Sequence, residues 1–441
     1  MKKGKHMKKW MAALLCLLVF AGSLQGAFLP QQPFAYAAER GKEPIAPKQY
    51  QSMLGRGMDV DWAKTKAGQK SYSKEAVVNF KKAHISHVRI RVKEPASEAL
   101  FAVLDRQISD CIGNDLIPVL AYQANEFKNS VSDESMAEAV SWWKAVAEHY
   151  RDYSYLLSFD LLIECSDALN KQPEKLNEYI EQAVSAIRDT NPQRIIMMSP
   201  RVRSDAAYLD DLEIPTRADG FLMAEWHFYA SGPSKENARK LWTTGTEQEK
   251  KLIKDKIELA CKWQEKTGIP TWVGAWMAGN YNDGNDYSME EQVKFAHYMV
   301  TQLEAADIPF AVNSDTKFYN RETNQWIRRM LPLRYCIFDS YPKAQRALFR
   351  ESRCESVSAK ATAQNDIRVR WGKLKRADGY QLVISTSPGF EKREIYSTSH
   401  TEKQIRNVRR GRTYYIKVRG YMKSEGKKVY SEYSRTVRVT C

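Results

Sequence analysis

The chain lacks any long uncharged apolar run beyond its first two dozen residues. A bilayer-spanning helix takes about 20 such residues, so no transmembrane segment is expected in the mature chain. Cysteine is scarce too, with 7 in 441 residues. Six lie further along the chain, Cys111, Cys165, Cys261, Cys336, Cys354 and Cys441, too scattered for a compact disulfide framework and without zinc-site spacing. No disulfide is assigned from this pattern, and no metal or cofactor is expected. No glycine-rich phosphate loop follows the first expected strand, which argues against a doubly wound dinucleotide-binding sheet. Acid is short in one region: residues 355–441 hold 8 Asp and Glu against 20 Lys and Arg.

What is present divides the chain. Five lysines fall within the first nine residues, an apolar segment covers 10–21, and Ala35-Tyr36-Ala37 offers small residues for cleavage. Residues 1–37 therefore read as a secretory signal peptide and 38–50 as a linker. Cys16 follows Leu15 rather than a small residue, so no lipid anchor is expected. A secreted protein, extracellular or held at the cell envelope, follows from this leader. An apolar content of 43% over this length supports two domains with sizeable cores. The formal charge is +15, yet residues 38–354 are about neutral, so the basic character belongs to the tail. Its cluster Arg406, Arg409, Arg410 and Arg412 suits a polyanion; in an exported protein an anionic cell-wall polymer or acidic polysaccharide fits better than nucleic acid, with a solvated face as the competing explanation.

Periodicity supplies the architecture. Strands are expected within 53–62 and at 87–92, 117–122, 156–164, 194–199, 221–228, 271–276 and 310–314. Helices are expected at 73–82, capped by Ser73, and at 136–150, 173–190, 247–267 and 289–306. Eight strands alternating with helices give an α/β fold, a (β/α)8 TIM barrel over residues 51–350. The stripe Met136, Val140, Trp143, Val146, Ala147 and Tyr150 belongs to its core. From 351 to 441 the period shortens to two, as at 367–371, 379–385 and 414–420, which predicts a C-terminal all-β sandwich.

Residues 156–165, Leu-Leu-Ser-Phe-Asp-Leu-Leu-Ile-Glu-Cys, form an apolar run ending in Glu164, where a barrel strand opens into its loop. Barrel enzymes keep their chemistry at that end. The run resembles the fourth strand of glycoside hydrolase family 5, the cellulase and mannanase-like family, whose pattern is Phe-Glu-Leu-Leu-Asn-Glu-Pro. Leu-Gly-Arg-Gly-Met-Asp-Val resembles the family's first strand, Val88-Arg89-Ile90 its second, Ala224-Glu225-Trp226-His227-Phe228-Tyr229 its sixth and residues 269–276 its seventh. Across roughly residues 54–320 the resemblance implies a barrel that handles β-linked polysaccharide or oligosaccharide. It places Glu164 at the acid/base position and Ala275 at the nucleophile position, bracketed by Gly274 and Trp276. It further implies Arg89, Tyr122, Glu225, His227, Tyr229, Trp276 and Asn313 as residues that bind substrate or support the site, with His227 and Tyr229 as the family's His-x-Tyr pair. In the tail, Trp371, Val408, Gly411 and Tyr414 resemble landmarks of a fibronectin type III domain.

Four departures from the family pattern meet in one pocket. Ile163 replaces an asparagine, Ala275 a glutamate, Asn313 an aromatic platform, and Ala121-Tyr122-Gln123 lacks a histidine. Retaining hydrolysis needs two carboxyl groups about 5 Å apart, so Ala275 removes half of the machinery. The favoured reading is a barrel that binds polysaccharide without efficient hydrolysis. An active hydrolase would need Glu225, Asp283, Asp286 or an activated water to stand in; a structural or adhesive surface protein is the third reading. Ala275 alone could be an engineered trap, whereas four changes point to an altered role. Glu225 shares a strand face with His227 and is expected to pair with Arg89, with an acquired catalytic role as the alternative. For His227 the alternative is a satisfied core histidine.

Overall fold

Residues 41–165, 168–229, 242, 244–279 and 287–441 are described by a computed structural model. Strands covered on both faces read as nearly continuous apolar runs, and eight such runs pair in parallel. β1 (Arg56–Val60), β2 (His87–Val92), β3 (Ile117–Tyr122), β4 (Ser158–Asp160), β5 (Ile196–Met198), β6 (Leu222–Tyr229), β7 (Thr271–Met277) and β8 (Phe310–Val312) close into a barrel in chain order, with β8 returning to β1. Helices Lys74–Lys82, Glu98–Ile112, Asp133–His149, Pro173–Arg188, Glu247–Thr267 and Met289–Ala305 alternate with the strands. Their starts are written in the sequence: Ser73 accepts from the Ala76 amide, and Thr246 with Glu249 and Ser288 with Glu291 form capping boxes. Gly268, at φ 71°, ends the helix that precedes β7.

β4 is shorter than its apolar run, pairing only over Ser158–Asp160. Beyond it the backbone still bridges its neighbours, the Leu161 amide donating to Met197 O at 3.1 Å and that of Ile163 to Tyr122 O at 2.9 Å. The chain then turns through Glu164, whose φ is 56°. A non-glycine residue persists in that left-handed region only where its surroundings enforce it.

The N-terminal end of the barrel is closed by helix Pro47–Leu54, which begins inside the segment expected to be linker. Tyr50 donates to Leu156 O at 2.8 Å and Gln51 to Thr271 O at 2.7 Å, so residues 47–50 belong to the barrel. Above this plug lies an apolar layer including Ile117, Val119, Met197, Met223, Trp272 and Ala311. His87 enters it as a neutral ring: burial lowers its pKa to about 4, Nδ1 meets Leu54 O at 2.6 Å, and Nε2 accepts from the Trp272 indole at 3.1 Å. Gly57 makes room, because a Cβ there would stand 2.2 Å from the His87 ring.

After the barrel come a short hairpin, β9 (Tyr319–Asn320) with β10 (Gln325–Trp326), and helices Leu331–Phe338 and Tyr341–Glu351. The remainder is antiparallel. β11 (Ser358–Ala361), β12 (Ile367–Arg370) and β15 (Glu402–Ile405) form one sheet; β13 (Gly379–Ser385), β14 (Arg393–Thr398), β16 (Thr413–Ser424), β17 (Lys427–Tyr430) and β18 (Val437–Thr440) form the other. Ile367, Val369 and Trp371 of the first pack with Leu382, Ile384, Ile416 and Val418 of the second. The described cysteines are free thiols, and no described helix is long and apolar enough to cross a membrane. The expected signal peptide lies outside the described residues.

Candidate active site

Strand alternation sends charge into the barrel above its apolar floor. Asp59 of β1 stands beside Arg89 of β2 in register, with Asp61 and Arg91 two residues further on and Asp160 and Glu225 entering from β4 and β6. Arg89 is the hub. Its Nε and Nη2 bind the two Asp59 oxygens, each at 2.8 Å, while Nη1 reaches Glu225 Oε2 at 2.7 Å and Asp160 Oδ2 at 3.1 Å. Trp272 lies below, with its ring centre 5.5 Å from the guanidinium. Arg91 adds bonds to Asp59 at 3.3 Å, Asp61 at 2.6 Å and Asn313 Oδ1 at 3.1 Å. Buried carboxylates are costly without such partners.

Glu225 has both oxygens engaged. Oε1 accepts from Ser199 at 2.7 Å and Ser204 at 3.3 Å; Oε2 accepts from Arg89 and faces His227 Nε2 at 3.2 Å. The other side of the ring faces Glu164, Nδ1 lying 3.3 Å from Oε1. Burial alone would lower the imidazole pKa, but the Glu225 charge and the Glu164 bond outweigh it and push it up to about 9. Both ring nitrogens therefore donate at neutral pH. Burial works to raise Glu225, yet His227 and Arg89 hold it below its ordinary value. Burial and the Glu225 charge push Asp160 up to about 8 against the pull of Arg89, so this acid keeps its proton at pH 7.

The β6–β7 register locates the position beside Glu225. Trp226 pairs with Val273 and His227 with Ala275, so Gly274 is the extra residue of a bulge. A Cβ at Gly274 would stand 1.9 Å from Glu225 Oε2, and glycine is therefore required there. Ala275 shares the lumen face with its register partner His227 and presents only a methyl group.

Glu164, with 15% of its side chain exposed, lies at the strand ends with Arg203 Nη1 4.0 Å from its Oε2. Arg89, Glu225, His227 and Asn313 converge on this cluster. Tyr122 and Trp276 do not. Tyr122 alternates outward and stacks on Trp142 at 4.0 Å, and the fully buried Trp276, turned outward by the bulge, lies against Phe295 and Phe310. Both rings pack among neighbouring aromatic side chains rather than joining the charge cluster. The Tyr229 backbone closes β6, while Asp283 and Asp286 lie outside the described residues. Sequence reasoning missed Asp59, Asp61, Arg91, Asp160 and Ser199 as members of the site; charges spaced two apart within buried strands were the available signal.

Residues 47–314 match the family model for cellulase, glycosyl hydrolase family 5. This stretch covers more than half of the chain and occupies the barrel just described; the chain belongs to that family. Solved structures agree on the fold. The cellulose synthase subunit Z from Clostridioides difficile is similar at 21% identity and a TM-score of 0.56, covering 64% of this chain and 99% of that one. A Thermotoga maritima Cel5A in complex with mannotriose gives 20% identity and 0.58, covering 66% and 99%. The Cel5A endoglucanase from the same organism gives 22% and 0.57, covering 66% and 100%. No curated protein matches in sequence.

Proposed function

We propose that this chain is an exported family 5 barrel that binds a β-linked polysaccharide and does not cleave it by the two-carboxylate route. The observation that supports the reading is the register pairing of Ala275 with His227, which leaves a methyl group at the position that the family resemblance assigns to the attacking carboxylate of a retaining enzyme. Glu225 is no replacement, since it has no exposure, both its oxygens are engaged and the imidazole separates it from Glu164. Losing a covalent nucleophile costs many powers of ten in rate while sugar binding can persist. The retained contact between Glu164 and His227 favours an active hydrolase as the second reading. Three strands packed on five support a fibronectin type III-like module at the C terminus. With residues 1–37 as a signal peptide, this basic module would hold the barrel against an anionic polymer of the envelope.

Soluble β-glucans and mannans test the barrel. Retardation of the full chain in gels containing them is expected, without release of reducing ends, and His227→Ala is expected to weaken retardation at least tenfold. Reducing ends that appear with the wild type and vanish in Glu164→Gln would overturn the proposal.

A further inference from the structure

The arginines of the tail do more than raise its net charge. Arg406, Arg409 and Arg412 line a cavity of about 800 Å³ together with Lys392 and Arg393, whereas Arg410 does not. That volume lies within the usual range of ligand sites. The cavity sits where the two sheets end side by side: β14 is the outer strand of one and β15 of the other. All five cations are exposed, and none has an ion pair among the described residues. The two acids in the lining are already engaged, Glu394 by the Tyr396 hydroxyl at 2.5 Å and Glu391 by Ser387. Tyr396 and Tyr414 contribute rings to the same wall.

We propose that this edge groove is a binding site for an acidic polysaccharide whose sugars carry carboxylates. The inference deepens the reading of the tail as a holdfast and rests on it. Guanidinium groups present a planar fork that matches a carboxylate with two hydrogen bonds, and four of the five cations are arginine. The tyrosine rings favour a sugar chain over a bare polyphosphate, because rings offer apolar faces to the C–H face of a sugar. Unpaired arginines around one cavity concentrate the attraction where a diffuse charge would spread it.

Retention of the full chain on immobilised polygalacturonate, read as the dissociation constant at fixed salt, tests the site. The triple variant Arg406→Gln, Arg409→Gln, Arg412→Gln is expected to bind at least tenfold more weakly. A control removes the same charge at the far end of the sheet, Lys423→Gln, Lys427→Gln, Lys428→Gln. β16 runs between the two ends over 12 residues, roughly 36 Å at the usual rise, so the control should lose less than threefold. Both sets are exposed, and circular dichroism checks that each variant folds. Equal losses would overturn the groove while leaving a diffuse electrostatic holdfast intact. Wild-type chain that is not retained at all would overturn both. Polyphosphate bound as tightly, through the same three arginines, would overturn the carboxylated sugar as ligand.

Discussion

Replacing Gly274 by alanine would drive a methyl carbon into the centre of the buried charge cluster. The added carbon would stand 1.9 Å from Glu225 Oε2 and 3.0 Å from Arg89 Nη1. The carboxylate would have to retreat by about 1 Å or more to reach even the shortest tolerable contact. It is held by Arg89 at 2.7 Å and by His227 at 3.2 Å, and that retreat gives up both. Hydrogen bonds to charged groups contribute about 1.5–3 kcal/mol each, so Gly274→Ala should destabilise the barrel by about 3–5 kcal/mol. In a Glu225→Ala background the obstacle is gone, and the same substitution should cost less than about 1 kcal/mol further, a coupling that a double-mutant cycle measures. Urea unfolding followed by tryptophan fluorescence reports on the barrel, where Trp272 and Trp276 are fully buried. A cost below about 1 kcal/mol in the wild-type background would refute the reasoning. It would mean that position 274 does not face Glu225, and the placement of Ala275 opposite His227 would fall with it.

Stability should also decline on the alkaline side. His227, raised to about 9, contributes stability that is complete below its unfolded value near 6.5 and lost as pH rises through 9. Asp160, raised to about 8, adds to the fall, because the folded state keeps a proton that the unfolded chain has released. A loss on the order of 4–5 kcal/mol between pH 6.5 and 9 is expected in urea titrations, of which Asp160→Asn should remove about 2 kcal/mol, most of it below pH 8. A profile that is flat or rises over this window would contradict a protonated His227 and a protonated Asp160 at neutral pH. Ala275→Glu puts a carboxylate in register with His227, and slow release of aglycone from activated aryl β-glycosides is expected, abolished by Glu164→Gln. If none appears, the missing carboxylate is not what blocks turnover.

The barrel was legible because buried parallel strands and amphipathic helices have different periods, and β2, β3 and helix Glu247–Thr267 fall where periodicity puts them. β4 was overextended because Leu161 to Ile163 is as apolar and buried as the strand, although it pairs with neither neighbour in a regular ladder. The pairing of Glu225 with Arg89 followed from strand alternation. The outward turn of Trp276 did not, since it depends on a bulge at Gly274 and Ala275 that a period-two reading steps over. The hub formed by Arg89 was only half visible: Asp59 stands in a strand that resembles the family's first, but its twofold bond to Arg89 depends on the register of β1 against β2. Helix Pro47–Leu54 was missed because its lysine and glutamines read as linker, whereas Tyr50 and Gln51 are buried under the barrel.

The proposal that, among the described residues, the lumen holds no group able to attack the sugar is tested most directly by intact-protein mass spectrometry. The probe is an activated 2-deoxy-2-fluoro cellobioside, which leaves a long-lived glycosyl ester on retaining enzymes. An unchanged mass is predicted for the wild type under conditions where a soluble β-glucan is bound. A stable adduct of one glycosyl unit on any carboxylate of the barrel would contradict the account.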